Sequence, residues 1–136
     1  MDSIKKKSIP VKQEIKEKNW RDIKQAQRFL NAFRGIYVVK QSTRHFSFHI
    51  FVALLVIILG FYFKISGLEW ISLIFAIGFV LVAEAFNTAI EIDIDLTSPE
   101  YHPYAKDTKD VAAGAVLLAT ITAVCVGLIV FLPRIF

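Results

Sequence analysis

Charge is missing from long stretches of this 136-residue chain. Between Phe46 and Phe63 the apolar run is broken only by Ser47, His49 and Gly60, and neither Trp70 to Ala83 nor Val111 to Leu132 carries a charge. A composition 55% apolar leaves too little polar surface to cover a small soluble core, which excludes an ordinary soluble domain of this length. Cysteine is represented only by Cys125, in the middle of an apolar run, so no disulfide is implied and the thiol reads as a small packing residue. The Walker pattern GxxxxGK[ST], a Gly-rich kinase loop, GxSxG and HExxH are all absent, which excludes the soluble nucleotide-loop, hydrolase and zincin architectures they mark. No small-residue cleavage site follows the first apolar run, and that run starts too far in to be a signal peptide.

The apolar blocks are long enough for a bilayer core of about 30 Å, which needs around 20 residues of helix. They predict an all-α membrane protein with three spans, at about 46–64, 69–92 and 110–132. Of the 16 Lys and Arg residues, twelve precede the first span, from Lys5 to Arg44, while Lys64 alone lies in the loop after it. That bias places the N-terminus and the 93–109 loop in the cytoplasm. A basic segment beside a membrane is explained by anionic headgroups, so no nucleic-acid partner is expected. Residues 1–19 read as a disordered basic tail, interrupted by Pro10. From Trp20 to about residue 40, Ile23, Ala26, Leu30, Phe33 and Tyr37 recur at helical spacing opposite Arg21, Lys24, Arg28 and Arg34, the pattern of an amphipathic helix lying in the interface. His45 and His49 stand four residues apart at the first span's cytoplasmic end and read as headgroup-level polar residues rather than a metal pair. Tyr62 and Trp70 flank a tight external turn as interfacial aromatics. Gly78, Ala83, Ala85 and Ala89, with the run Ala112-Ala113-Gly114-Ala115, predict close helix approach.

Two carboxylates and an amide follow where the second span is still apolar. An ionisable group at membrane depth costs roughly 2.5 to 3.5 kcal/mol on insertion scales and usually has a functional partner. Glu84, Asn87, Glu91 and Asp95 recur at helical spacing on one face, whereas Asp93 points away. Across a Pro-containing loop, Lys106, Lys109 and Asp110 open the third span. Carboxylates with lysines at a bundle's cytoplasmic mouth suit a metal-bound polyphosphate, the acids holding Mg²⁺ and the ammonium groups holding phosphate oxygens. Glu84, roughly 10 Å deeper than Glu91 along a helix, is placed to meet the hydroxyl of a lipid that never leaves the bilayer. The competing structural reading is a polar network that only ties the spans together. An ion channel is disfavoured because no charge lines the outer half.

These residues resemble the small bacterial integral-membrane lipid kinases, the diacylglycerol and undecaprenol kinase family, from about Lys24 to the C-terminus. The matching blocks are Glu84-Ala-Phe-Asn87-Thr-Ala-Ile-Glu91, Asp95-Leu96, Glu100-Tyr101-His102-Pro103, and Ala105-Lys106-Asp107-Thr-Lys109-Asp110-Val-Ala-Ala-Gly-Ala-Val. Through His102-Pro103 and the last block the chain is more similar to the undecaprenol kinase branch. The resemblance implies a homotrimer in the bacterial plasma membrane, with composite cytoplasmic-side sites that transfer the γ-phosphate of ATP to a membrane lipid alcohol with Mg²⁺. It assigns Glu84 as catalytic base, Asn87 as an orienting residue, Glu91 as metal ligand, and Lys24, Glu100, Tyr101, His102, Lys109 and Asp110 as nucleotide contacts. Phe29, Ala32 and Gly35 match its interfacial-helix pattern F-x-x-A-x-x-G.

The chain departs from the family before the first span, where a pattern like E-R-N-F-x-x-H is usual and Thr43-Arg44-His45-Phe46-Ser47-Phe48-His49 stands here. Thr43 replaces a second metal-binding Glu, and a hydroxyl does not offset the ion's charge. Asn31 also stands where Tyr or His is common. The alternatives to an undecaprenol kinase are therefore a diacylglycerol kinase, or a non-catalytic member serving as a lipid-binding or assembly protein.

Overall fold

The computed structural model describes residues 25–42 and 44–136, which form four helices: α1 Gln25–Ser42, α2 Arg44–Tyr62, α3 Gly67–Thr97 and α4 Pro103–Ile135. The last three are long and apolar enough to cross a membrane. The all-α membrane architecture expected from hydropathy is thus the one observed. The expected tail over 1–19, Lys24 and Thr43 lie outside the described residues. In α1 the apolar side chains Phe29, Leu30 and Phe33 are exposed.

Helices α3 and α4 both outrun the spans marked by hydropathy, because caps rather than lipid end them. α3 continues through Asp93 and Asp95 to Thr97 and closes at Ser98, whose N–H donates to the Ile94 carbonyl, immediately before Pro99 disfavours another helical residue. α4 starts seven residues before the expected span, with His102 as N-cap accepting from the Tyr104 N–H and Pro103 at the first helical position.

The turn between α2 and α3 is fully hydrogen-bonded. Lys64 takes a left-handed conformation with φ 50°, the Lys64 N–H donates to the Phe61 carbonyl, and the Ile65 N–H donates to the Gly60 carbonyl. Those two bonds satisfy the carbonyls left open at the end of α2 in a Schellman arrangement. Ser66 then caps α3 reciprocally: its hydroxyl accepts from the Glu69 N–H while the Glu69 carboxylate accepts from the Ser66 N–H.

The internal core is small and lies at this end. Ile65, Leu73, Val130 and Phe131 are buried together, with Val56, Phe63, Trp70 and Val126 packed around them. Arg134 at the end of α4 forks onto Glu69 at 2.7 and 2.8 Å, locking the start of α3 to the end of α4. Elsewhere large apolar side chains point outward, Phe75 at 73% and Ile129 at 75% exposure among them, the inverse of a water-soluble surface and the one hydrocarbon solvates.

The expectation about small residues is corrected in part. Ala76, Ala112 and Ala119 are buried, but Gly78 and Gly114 have open space where a Cβ would stand, and Ala89, Ala113 and Ala115 are exposed. Within one chain the close approach occurs at Gly60, where a Cβ would lie 2.7 Å from the Trp70 ring. Trp70 accordingly packs inward, its ring 4.9 Å from that of Phe61, rather than serving only as an interfacial anchor.

Candidate active site

The polar face of α3 is the face turned to the other helices. Glu84 is 3% exposed, Asn87 and Thr88 are also buried, and Glu91 is half-buried, so the acid and amide row expected from spacing faces protein rather than lipid. Asp93 is exposed, as its position on the wheel requires. Thr88 donates to the Glu84 carbonyl at 2.9 Å and is thereby satisfied within its own helix.

Two groupings emerge along this row. The inner one holds Glu84, Asn87 and Glu91. Asn87 Nδ2 donates to Glu91 Oε1 at 2.9 Å, leaving Asn87 Oδ1 buried without a hydrogen-bond partner. A buried amide oxygen without a donor is destabilising by itself, on the order of 1–3 kcal/mol, so stability alone does not account for it. The Glu84 carboxylate does not join this pair. Its Oε1 lies 3.1 Å from His49 Nε2 on α2, a polar contact between side chains that are 4% and 16% exposed. His49 therefore sits inside the bundle, which corrects its reading as a headgroup-level residue; only its place in the spacing x-x-H after Phe46 hinted at this. His45, by contrast, is exposed.

The outer grouping surrounds the α3–α4 connection. Asp95, Glu100, Tyr101, His102, Lys109 and Asp110 line one cleft of about 300 Å³. Lys109 Nζ bonds Asp95 Oδ1 across the two helices, and Lys106 pairs with Asp110 at 2.7 Å along α4. Tyr101 is 80% exposed and free to stack on a planar ligand, whereas His102 spends Nδ1 on capping its own helix. Every described candidate from the loop onward thus converges on this cleft, and the inner row leads to it along α3. Among the described residues no three His, Cys, Asp or Glu side chains cluster closely enough to hold a metal unaided.

A third feature joins the inner row from the opposite direction. An apolar cavity of about 200 Å³ lies between α2, α3 and α4, bounded by His49 at one end and by Phe131 and Leu73 towards the other, with Val52, Val80 and Val124 along it. A buried acid, an ammonium-bearing cleft and an apolar cavity thus lie along helices long and apolar enough to cross a membrane.

Comparison with known proteins resolves the class further. Residues 30–131 match the prokaryotic diacylglycerol kinase family. The chain is 41% identical over 106 residues to an undecaprenol kinase of Bacillus subtilis, covering 78% of this chain and 86% of that protein. It is 38% identical over 106 residues to a diacylglycerol kinase of Synechocystis sp., covering 77% and 61%. A diacylglycerol kinase of Escherichia coli is 32% identical over 71 residues, covering 52% and 58%. The chain belongs to the prokaryotic diacylglycerol kinase family. It is a lipid kinase, a phosphotransferase of the membrane.

Proposed function

We propose that this chain phosphorylates undecaprenol with ATP, using Mg²⁺. The observation that carries the reading is the continuous path on α3 from buried Glu84, through Asn87 and Glu91, to the cleft where Lys109 meets Asp95. The undecaprenol kinase relative matches over more of its own length than the diacylglycerol kinases do, which supports the isoprenoid alcohol over the diglyceride. The apolar cavity reaching His49, which contacts Glu84, suits an alcohol carrying a hydrocarbon chain.

The donors present fit Mg²⁺. That ion is held by one or two carboxylates, with substrate phosphates and water completing the octahedron. Glu91 is such a carboxylate, and the unpartnered Asn87 Oδ1 is a neutral oxygen beside it. The bound ion would offset the negative charge of the nucleotide's phosphates.

The chain's own residues perform the rest. Lys109 faces the phosphates once its bond to Asp95 yields, and Tyr101 and Glu100 bound the remainder of the nucleotide in the cleft. Lys24 is assigned to the nucleotide by its place in the family pattern alone. Glu84 takes the proton of the lipid hydroxyl as its oxygen attacks the γ-phosphorus; the new O–P bond forms while the bond to the β-phosphate oxygen breaks, releasing ADP. Subunits assemble as trimers with cytoplasmic N-termini, so the cleft opens to the cytosolic nucleotide and the apolar cavity to the bilayer.

The deciding experiment uses the purified full-length chain in detergent micelles with ATP, Mg²⁺ and either undecaprenol or diacylglycerol. Lipid phosphate is expected from both, with undecaprenol favoured. Glu84→Gln is expected to lower turnover by on the order of 100-fold or more, the scale of a lost general base, while nucleotide binding is nearly unchanged. Absence of phosphate transfer to either lipid would overturn the proposal, and loss of nucleotide binding in Glu84→Gln would remove the base assignment.

A further inference from the structure

His49 takes no part in the mechanism above, yet it is the side chain that meets the proposed base. Its Nε2 lies 3.1 Å from Glu84 Oε1, in direct polar contact, and both side chains are nearly enclosed. The neighbouring donors are committed elsewhere. Asn87 Nδ2 is spent on Glu91, the Thr88 hydroxyl on the Glu84 carbonyl, and the Thr120 hydroxyl of α4 on the Val116 carbonyl. From α4 the cavity beside His49 is lined by Thr120, Ala123, Val124 and Gly127, none ionisable, and the nearest titratable neighbour on its own helix, His45, is exposed one turn away. The Phe48 ring meets the imidazole edge-on at 5.9 Å.

We propose that His49 is a positioning residue for the phosphoryl acceptor step. From α2 it holds Glu84 Oε1, so that Oε2 is the oxygen presented to the hydroxyl of the lipid. A base oriented by a third group is the general arrangement for an activated nucleophile. Here the base rides on α3 and the orienting imidazole on α2, which makes the carboxylate's aim depend on the packing of two helices. The proton of the hydroxyl passes to Oε2, and the imidazole exchanges no proton in the step. This inference rests on the lipid kinase reading and on Glu84 as the proton acceptor.

Two amide replacements test it, because they retain polarity and differ in reach. The amide nitrogen of Gln falls near the position of Nε2, whereas that of Asn falls near Nδ1 and stops short of Oε1. In micelles containing undecaprenol, ATP and Mg²⁺, His49→Asn is expected to lose roughly 30- to 100-fold in kcat, the scale of misplacing a reacting group by about 1 Å, with KM for ATP and for lipid within about twofold of wild type. His49→Gln is expected to stay within about fivefold of wild type, since its amide reaches the same place beside Oε1. Equal kcat in the two variants, whether both intact or both impaired, overturns the proposal, as does thermal unfolding showing that neither variant folds. Wild type without any turnover on lipid would instead strike the kinase reading itself, a distinguishable failure.

Discussion

Asn87 illustrates how this site sets single residues against the stability of the bundle. Its Nδ2 supports Glu91 while its Oδ1 is buried without a donor, a cost with no return in the folded chain alone. Replacing it by Leu removes the orphaned oxygen at similar volume, so Asn87→Leu is expected to unfold at an equal or higher temperature in detergent. The same substitution is expected to raise the Mg²⁺ concentration for half-maximal activity by about 10-fold, the range seen when a partner of a metal ligand is lost. A Mg²⁺ titration beside a thermal melt checks both halves; a lower melting temperature with unchanged Mg²⁺ demand would show that Asn87 is structural. Thr43 raises the complementary question. If the family's second acidic ligand is what this chain lacks, Thr43→Glu should raise turnover at limiting Mg²⁺, which the same titration reads.

At the scale of elements, the turn at residues 63–66 does most to place α3. It combines Lys64 in a left-handed conformation, the reciprocal Ser66–Glu69 cap and a glycine beneath the Trp70 ring. Gly60→Ala would set a methyl 2.7 Å from Trp70, so the ring must leave its packing on Phe61. Overpacking of this kind is expected to destabilise by about 1–3 kcal/mol, measurable as a lower midpoint in detergent unfolding. Arg134→Leu is expected to lower the melting temperature as well, by freeing the end of α4 from Glu69. Because His49 lies near the start of α2 and Glu84 midway along α3, both away from the turn, neither change should alter the ratio of undecaprenol to diacylglycerol turnover at temperatures where the protein stays folded. A shift in that ratio would mean that the turn transmits its position to the site.

For the whole molecule, the many exposed apolar side chains of the described residues form a surface for lipid and, in an oligomer, for other copies of the chain. A trimer with composite sites predicts complementation. Chains carrying Glu84→Gln and chains carrying Lys109→Met should each be inactive, and co-assembled they should recover measurable undecaprenol phosphorylation, since one mixed interface retains an intact base and an intact lysine. If base and lysine of one site belong to a single chain, the mixture stays inactive. Within the chain, Lys109 bonds Asp95 across α3 and α4, so the cleft is already organised before any assembly.

Hydropathy alone determined that this protein is helical and membrane-spanning, because a bilayer needs long uncharged runs and tolerates buried carboxylates only on a face that meets protein. The same periodicity determined that Glu84, Asn87 and Glu91 would share that face, and the family pattern supplied their proposed roles. Helix ends were less legible: hydropathy stops at the membrane, whereas α3 and α4 stop at Ser98 and His102, where capping bonds end them. Tertiary structure decided which polar groups meet. Nothing in local spacing says that His49 reaches Glu84, that Lys109 reaches Asp95 or that Arg134 reaches Glu69, since each pair joins two helices whose relative rotation is set by tertiary packing.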